Sequence, residues 1–316
     1  MKIYRSDDFN TSDESIWKSR VLKLGEGPIF TAKTVITGVE FEAKKIVFGP
    51  ITIRKYKSPE DVLWSGRGCT VELIFQDKST NPPQDTPMSM YVQPFWLMHS
   101  IFIAMQLYAN SWVGYTRINY LDKHKKYAGT FGGQNVADTR SIAEQPIITR
   151  LNRKRLLQLL DCQFGTLELA IDRYSKACTE IVDESIIDFV IVLENLLGIG
   201  LNGEISHRVS SRGAMILAPN KEDRENYYIT LKYLYDLRSQ MVHGKIDEIK
   251  SPAQNSKKGV ALKAVGTKLT GTWWEDRYNI SNTARVLTRA ILLYFINNTD
   301  KWNEDFLFHL DLGIKS

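Results

Sequence analysis

The chain has 316 residues, 43% of them hydrophobic, with 41 basic against 36 acidic side chains and a formal net charge of +5. That is enough apolar material to bury a core in one large domain or two ordinary ones without covalent staples, and the mild basic excess permits a polyanionic partner without requiring one. Cys69, Cys162 and Cys178 are odd in number and in no CxxC spacing, which argues against both a disulfide framework and a zinc site; neither metal nor cofactor is expected, and the compartment expected is a reducing cytoplasm.

The first residues, MKIYRSDDFNTSDESIWKSR, mix charges and contain no apolar run, so no secretory signal is expected. From Gly27 to Asp77, β-branched and aromatic residues at strand spacing (IFTAKTVITGVEFEA, KKIVFGPITIRKY, CTVELIFQD) alternate with turn formers such as Gly38, Gly49 and Pro50, the pattern of an antiparallel sheet. NPPQDTP at 81–87 is a loop, because consecutive prolines enter neither a helix interior nor a central strand. Between 94 and 110, PFWLMHSIFIAMQLYAN fits a buried helix or the start of a strand, and VGYTRINYL after it fits a strand. His99 has no second ligand at metal-binding spacing. AGTFGGQ at 128–134 lacks the lysine of a phosphate loop and is a turn.

Beyond Pro146 the apolar period changes from two to 3.6. Leu167, Ile171, Tyr174 and Cys178 mark one helical stripe, and Asp183 is placed to cap the next helix. The segment 186–197 is apolar nearly all round and belongs at a bundle centre; it contains Glu194, and the apolar run is about half the ~20 residues a bilayer span needs, so no membrane association is expected. Ile205, Val209, Arg212 and Ile216 share one face of the following helix, Asn220 starts another, 247–271 is a loop, and Ser281 is placed to cap a last helix. Basic clusters at 150–155 and 250–268 have the look of solvated surface. The fold class is α+β, with a β-rich domain over 1–140, of unassigned role, and a helical bundle over 141–316.

Projecting residues 224–243 on a helix gives an apolar stripe of Tyr227, Leu231, Leu234, position 238 and Met241, in which position 238 is arginine. A guanidinium there needs a carboxylate or a bound anion. Glu194, Glu204 and Arg212 lie on preceding segments, and on spacing alone buried ion pairs account for the set better than an active site does. His243 follows Arg238 by five residues, about 140° away around an ideal helix. Ser239 and His243, spaced i and i+4, share a face, and Gly244 suits a left-handed helix end.

Three segments, DFVIVLENLLG, GEISHRVSSRGAMIL and YLYDLRSQMVHGK, occur in an order and spacing that resemble the C-terminal bundle of the HEPN superfamily, in particular its Apea-like branch. RSQMVH satisfies that superfamily's arginine, polar residue, histidine signature. The resemblance spans about 150–300 and does not reach the first 140 residues. It implies a metal-independent endoribonuclease with Arg238 and His243 as catalytic residues, supported by Ser239, Glu194, Glu204 and Arg212. It further implies RNA as substrate, a homodimer whose two-fold axis assembles the site, and a role in phage defence or as a toxin. Some members of the superfamily keep the fold without the chemistry and bind RNA, a nucleotide or a protein partner, which is the alternative the resemblance carries.

Overall fold

A computed structural model describes residues 29–37, 39–41, 45–48, 51–55, 68–76, 98, 101–108, 113–115, 118–121, 124–131, 147–148, 159 and 167–314, apart from 201, 202 and 219. The chain divides into two compact units, Met1–Gly165 and Thr166–Ser316; composition alone places the change from strands to helices at 140/141. The class is α+β. The loop at 81–87, His99, Cys162, the basic cluster at 150–155 and the first 28 residues lie outside the described residues.

In the first unit the strands are β1 (Ile29–Thr37), β2 (Glu40–Phe41), β3 (Lys45–Phe48), β4 (Ile51–Lys55), β5 (Gly68–Gln76), β6 (Gly114–Tyr115), β7 (Ile118–Leu121), β8 (Tyr127–Phe131) and β9 (Ile147–Ile148). Among the described residues the main sheet runs β3-β4-β5-β1-β7-β8 with β6 also on β1, all antiparallel. β1 is central because its register with β5 holds over its whole length, Ile29 opposite Gln76 through Thr37 opposite Gly68. On β1 Thr31 and Lys33 are half-buried on either side of buried Ala32, the alternation of a sheet with one covered face, whereas from Thr34 through Val35 to Ile36 both faces are covered. The ambiguous segment at 94–110 is helical where described, over 101–108, and buried throughout from Ile101 to Leu107. Its Phe102 meets Tyr115 edge-on at 4.8 Å, and its Gln106 donates to the Val113 carbonyl.

The second unit is helical: α1 (Glu168–Ala177), α2 (Val182–Leu197), α3 (Ile205–Leu217), α4 (Lys221–Val242), α5 (Lys257–Ala264), α6 (Trp273–Asn297) and α7 (Glu304–Asp311), with single 3-10 turns at Ile246–Glu248 and Thr299–Lys301. α2 is the axis of the bundle, packing on α1, α3, α4 and α6, and buries Ile186, Phe189, Val192, Leu193, Leu196 and Leu197. Leu167, Ile171, Tyr174 and Cys178 form the buried stripe of α1. α3 crosses its neighbours at Gly213, where an added Cβ would stand 2.6 Å from Leu231 and 3.3 Å from Leu197.

Four local expectations differ from what forms. Residues 128–131 of the glycine-rich stretch expected to be a turn belong to β8, paired antiparallel with β7, because glycine and small residues are tolerated at that ladder. α2 begins at Val182 with Ile181 as its cap, so Asp183 lies in the first turn, where its charge favours the helix dipole and pairs with Arg277 at 3.0 Å. The stretch 247–271 is not all loop. Ser256 caps α5 by accepting from the Gly259 amide, and Ala261 and Leu262 are buried. The last long helix starts at Trp273, eight residues before Ser281; that serine is buried and its hydroxyl bonds Ser185 across α2 at 2.7 Å.

Candidate functional site

The buried face of α4 is Thr230, Leu231, Tyr233, Leu234, Leu237 and Met241. Leu237 fills the core position that projection gives to Arg238, which instead stands on the flank, its side chain 28% exposed. From there Nη2 approaches Glu194 Oε2 on α2 at 3.7 Å, with the glutamate side chain 23% exposed. The Arg238 Nε is buried and has no hydrogen-bond partner among the described residues. Tyr235 completes the group, its ring centre 6.0 Å from the guanidinium carbon. Burial, with the Glu194 carboxylate acting in the same direction, pushes its phenol up to about 12, so it is neutral at physiological pH.

Arg212 is a different kind of arginine. Its side chain is 2% exposed. Nε and Nη2 grip the two oxygens of Asp311 at 2.9 and 2.8 Å, and Nη1 donates to the carbonyls of Leu197 and Ile199. It therefore closes the carbonyl end of α2, where positive charge is favoured, and ties α3 to α7. Arg208 approaches the same Asp311 at 3.6 Å. One network joining Glu194, Glu204, Arg212 and Arg238 does not form: Glu194 meets Arg238, and Arg212 is saturated elsewhere.

Glu204 is exposed at the cap of α3 in a left-handed conformation, φ 51°, and its side chain makes no capping bond. A non-glycine residue held there costs about 1 to 2 kcal/mol. It lines an open groove of about 570 Å³ with His207, Lys232 and Tyr235. Lys232 reaches the Ser206 hydroxyl at 3.3 Å, and the His207 ring meets Tyr228 at 5.6 Å. Tyr235 belongs both to this groove and to the Arg238 surroundings, so the groove adjoins the Glu194–Arg238 pair. The sequence signal for it is the spacing of Tyr228, Lys232, Tyr235 and Ser239 along one side of α4, a side with no aliphatic stripe to mark it.

His243 is the C-cap of α4, exposed and followed by a tight helix end: the Gly244 amide donates to the Met241 carbonyl and the Lys245 amide to that of Gln240, with Gly244 at φ +72°. Half-buried Ser239, one turn earlier, makes no hydrogen bond to the imidazole among the described residues. Arg238 and His243 thus occupy different sides of one helix end. Arg238 is paired inward, and His243 is turned to solvent.

Among the described residues no group of histidine, cysteine, aspartate or glutamate side chains is placed to hold a metal ion, and no helix is long and apolar enough to cross a membrane. No protein-family model matches the chain, and neither a curated protein nor a solved structure does. Any functional assignment rests on this geometry and on the three sequence segments.

Proposed function

We propose that the protein is a metal-independent endoribonuclease of HEPN type, whose helical bundle dimerises about the end of α4 to assemble one RNA-cleaving cleft. The observation that carries it is the contrast between the two motif arginines. Arg212 spends its donors on Asp311 and two carbonyls, whereas Arg238, its side chain 28% exposed, has among the described residues a single ion-pair contact, at 3.7 Å. Unspent donors on a permanently charged, planar guanidinium are what phosphate oxygens take.

In this reaction the 2′-oxygen attacks phosphorus as its proton passes to a base, the bond from phosphorus to the 5′-oxygen breaks, and an acid returns a proton to that oxygen. A 2′,3′-cyclic phosphate and a free 5′-hydroxyl result. His243 supplies the proton transfer, its imidazole being exposed and able to give or take a proton. Arg238 neutralises the pentacoordinate phosphorane. Glu194 orients the guanidinium from behind, and neutral Tyr235 covers its flank. One histidine cannot act as acid and base at once; a two-fold axis at this helix end brings two histidines and two arginines to the same phosphate. The same axis resolves the divergence of about 140° between the two residues on a single helix.

The test is incubation of single-stranded RNA with the purified protein in excess EDTA, followed by end-group analysis. Products ending in 2′,3′-cyclic phosphate or 3′-phosphate are expected. Cleavage that needs added divalent metal, or products with 5′-phosphate, would contradict the proposal. A protein that binds RNA with no cleavage under any condition would be a non-catalytic module.

A further inference from the structure

The chain leaving α4 folds back on that helix and forms a second groove, of about 390 Å³, lined from α4 by Tyr233, Leu237 and Gln240. These residues are spaced i, i+4 and i+7, so they share one face, about 200° around the helix from Tyr235 and away from the Arg238 site. Among the described residues the charged groups lining the groove are Lys250, Lys257 and Lys258, with no carboxylate. Asp236 stands at its edge, 3.4 Å from the Lys258 ammonium.

Two features of this groove break local rules. Lys257 and Lys258 are the first two residues of α5, whose first turn holds no acidic residue, although a helix N-terminus repels cations. Ser256 accepts from Gly259, and the amides of Lys257 and Lys258 have no acceptor among the described residues. The turn is held rigidly, because Gly259 lies so close to the Ala253 carbonyl that no Cβ fits between them. Independently, Tyr233 lines the groove at 5% exposure, and its hydroxyl is buried without a hydrogen-bond partner among the described residues. Burial, then the nearby Asp276 and Asp236 carboxylates, raise its pKa, so the group is a donor in search of an acceptor. Cations, free amides and an orphaned hydroxyl gathered in one groove are each satisfied by the same ligand.

We infer that this groove binds a phosphate group, held by Lys250, Lys257 and Lys258, the first amides of α5 and the Tyr233 hydroxyl. The phosphate comes either from the backbone of an RNA strand or from the monoester of a nucleotide or 5′ end. The inference does not depend on the nuclease chemistry, since it concerns a different face of α4.

Phosphorus NMR of inorganic phosphate titrated with the full-length protein at low salt tests it. Saturable line broadening is expected. It should weaken about tenfold or more in Lys257→Glu/Lys258→Glu, as loss of charge-assisted hydrogen bonds requires, and weaken less in Tyr233→Phe. The exposed pair Lys221→Glu/Lys263→Glu changes the net charge equally outside the groove and should bind as the wild type does. Competition assigns the source: displacement by a 5′-hydroxyl RNA oligomer marks a backbone site, and displacement by a nucleoside monophosphate alone marks a monoester site. Absence of saturable broadening, or equal weakening in the two double variants, would overturn the inference, with circular dichroism confirming that each variant is folded.

Discussion

The Arg238 guanidinium on α4 stands 3.7 Å from the Glu194 carboxylate on α2, both side chains about a quarter exposed. At that distance and exposure the pair orients more than it stabilises. Partly exposed ion pairs contribute about 0 to 1 kcal/mol after screening. Arg238→Ala should therefore unfold in urea within about 1 kcal/mol of the wild type, while losing about a hundredfold or more in RNA cleavage, as removal of one transition-state charge donor does. A large loss of stability would instead mark Arg238 as a structural arginine.

Arg212→Ala should show the opposite pattern. Removing it leaves the Asp311 carboxylate only the longer Arg208 contact at 3.6 Å and takes the guanidinium from the carbonyls of Leu197 and Ile199 at the end of α2. Loss of one partner of a buried pair costs about 3 to 5 kcal/mol. Equilibrium urea unfolding should show that loss, and Arg212→Lys should recover little of it, since an ammonium cannot grip two carboxylate oxygens and two carbonyls together.

Glu204→Gly should stabilise the protein, by about 0.5 to 1 kcal/mol, because glycine accepts the left-handed conformation without a Cβ penalty. If Glu204 is held in that conformation for use in the groove beside Tyr235, the same variant should cleave RNA more slowly while unfolding at higher urea. A variant of unchanged stability would show that the left-handed cap carries no strain.

How much of this was legible in the sequence varies with range. Gly244 and the Asn220 cap are visible from neighbours a few residues away, and both form, with Asn220 accepting from the Asp223 amide at 2.8 Å. α5 is hidden in the sequence because its apolar residues Val260, Ala261 and Leu262 run consecutively with no helical period, and its cap, Ser256, is followed by two lysines. Ser281 read as a helix start because a small polar residue before an apolar run usually caps one; its true partner, Ser185, is 96 residues away. The same limit hid the Arg212–Asp311 pair, 99 residues apart. Periodicity puts Arg238 one position too deep, since a stripe through 231, 234, 238 and 241 and one through 230, 234, 237 and 241 fit a 3.6-residue period almost equally well.

Acid should selectively weaken the start of α6. Burial of Asp276 opposes ionisation, but the Thr270 and Gly271 amides and the Thr270 hydroxyl that bond its oxygens outweigh this and hold its pKa below the usual carboxylate value. A depressed folded-state pKa contributes stability that is present above the unfolded value, about 4, and is lost as pH falls through the folded one. The urea-midpoint difference between wild type and Asp276→Asn should thus be largest near pH 6 and shrink below about pH 4. A difference that grows on acidification would reverse the sign assigned here.

The most direct measurement of the central claim is the single-turnover rate of RNA cleavage in EDTA for wild type, His243→Ala and Arg238→Ala, with urea midpoints measured on the same preparations. Both variants should lose about a hundredfold or more in rate at nearly unchanged midpoints, because His243 is exposed and Arg238 is weakly paired. Cleavage by His243→Ala at the wild-type rate would show that the chemistry lies elsewhere on the chain.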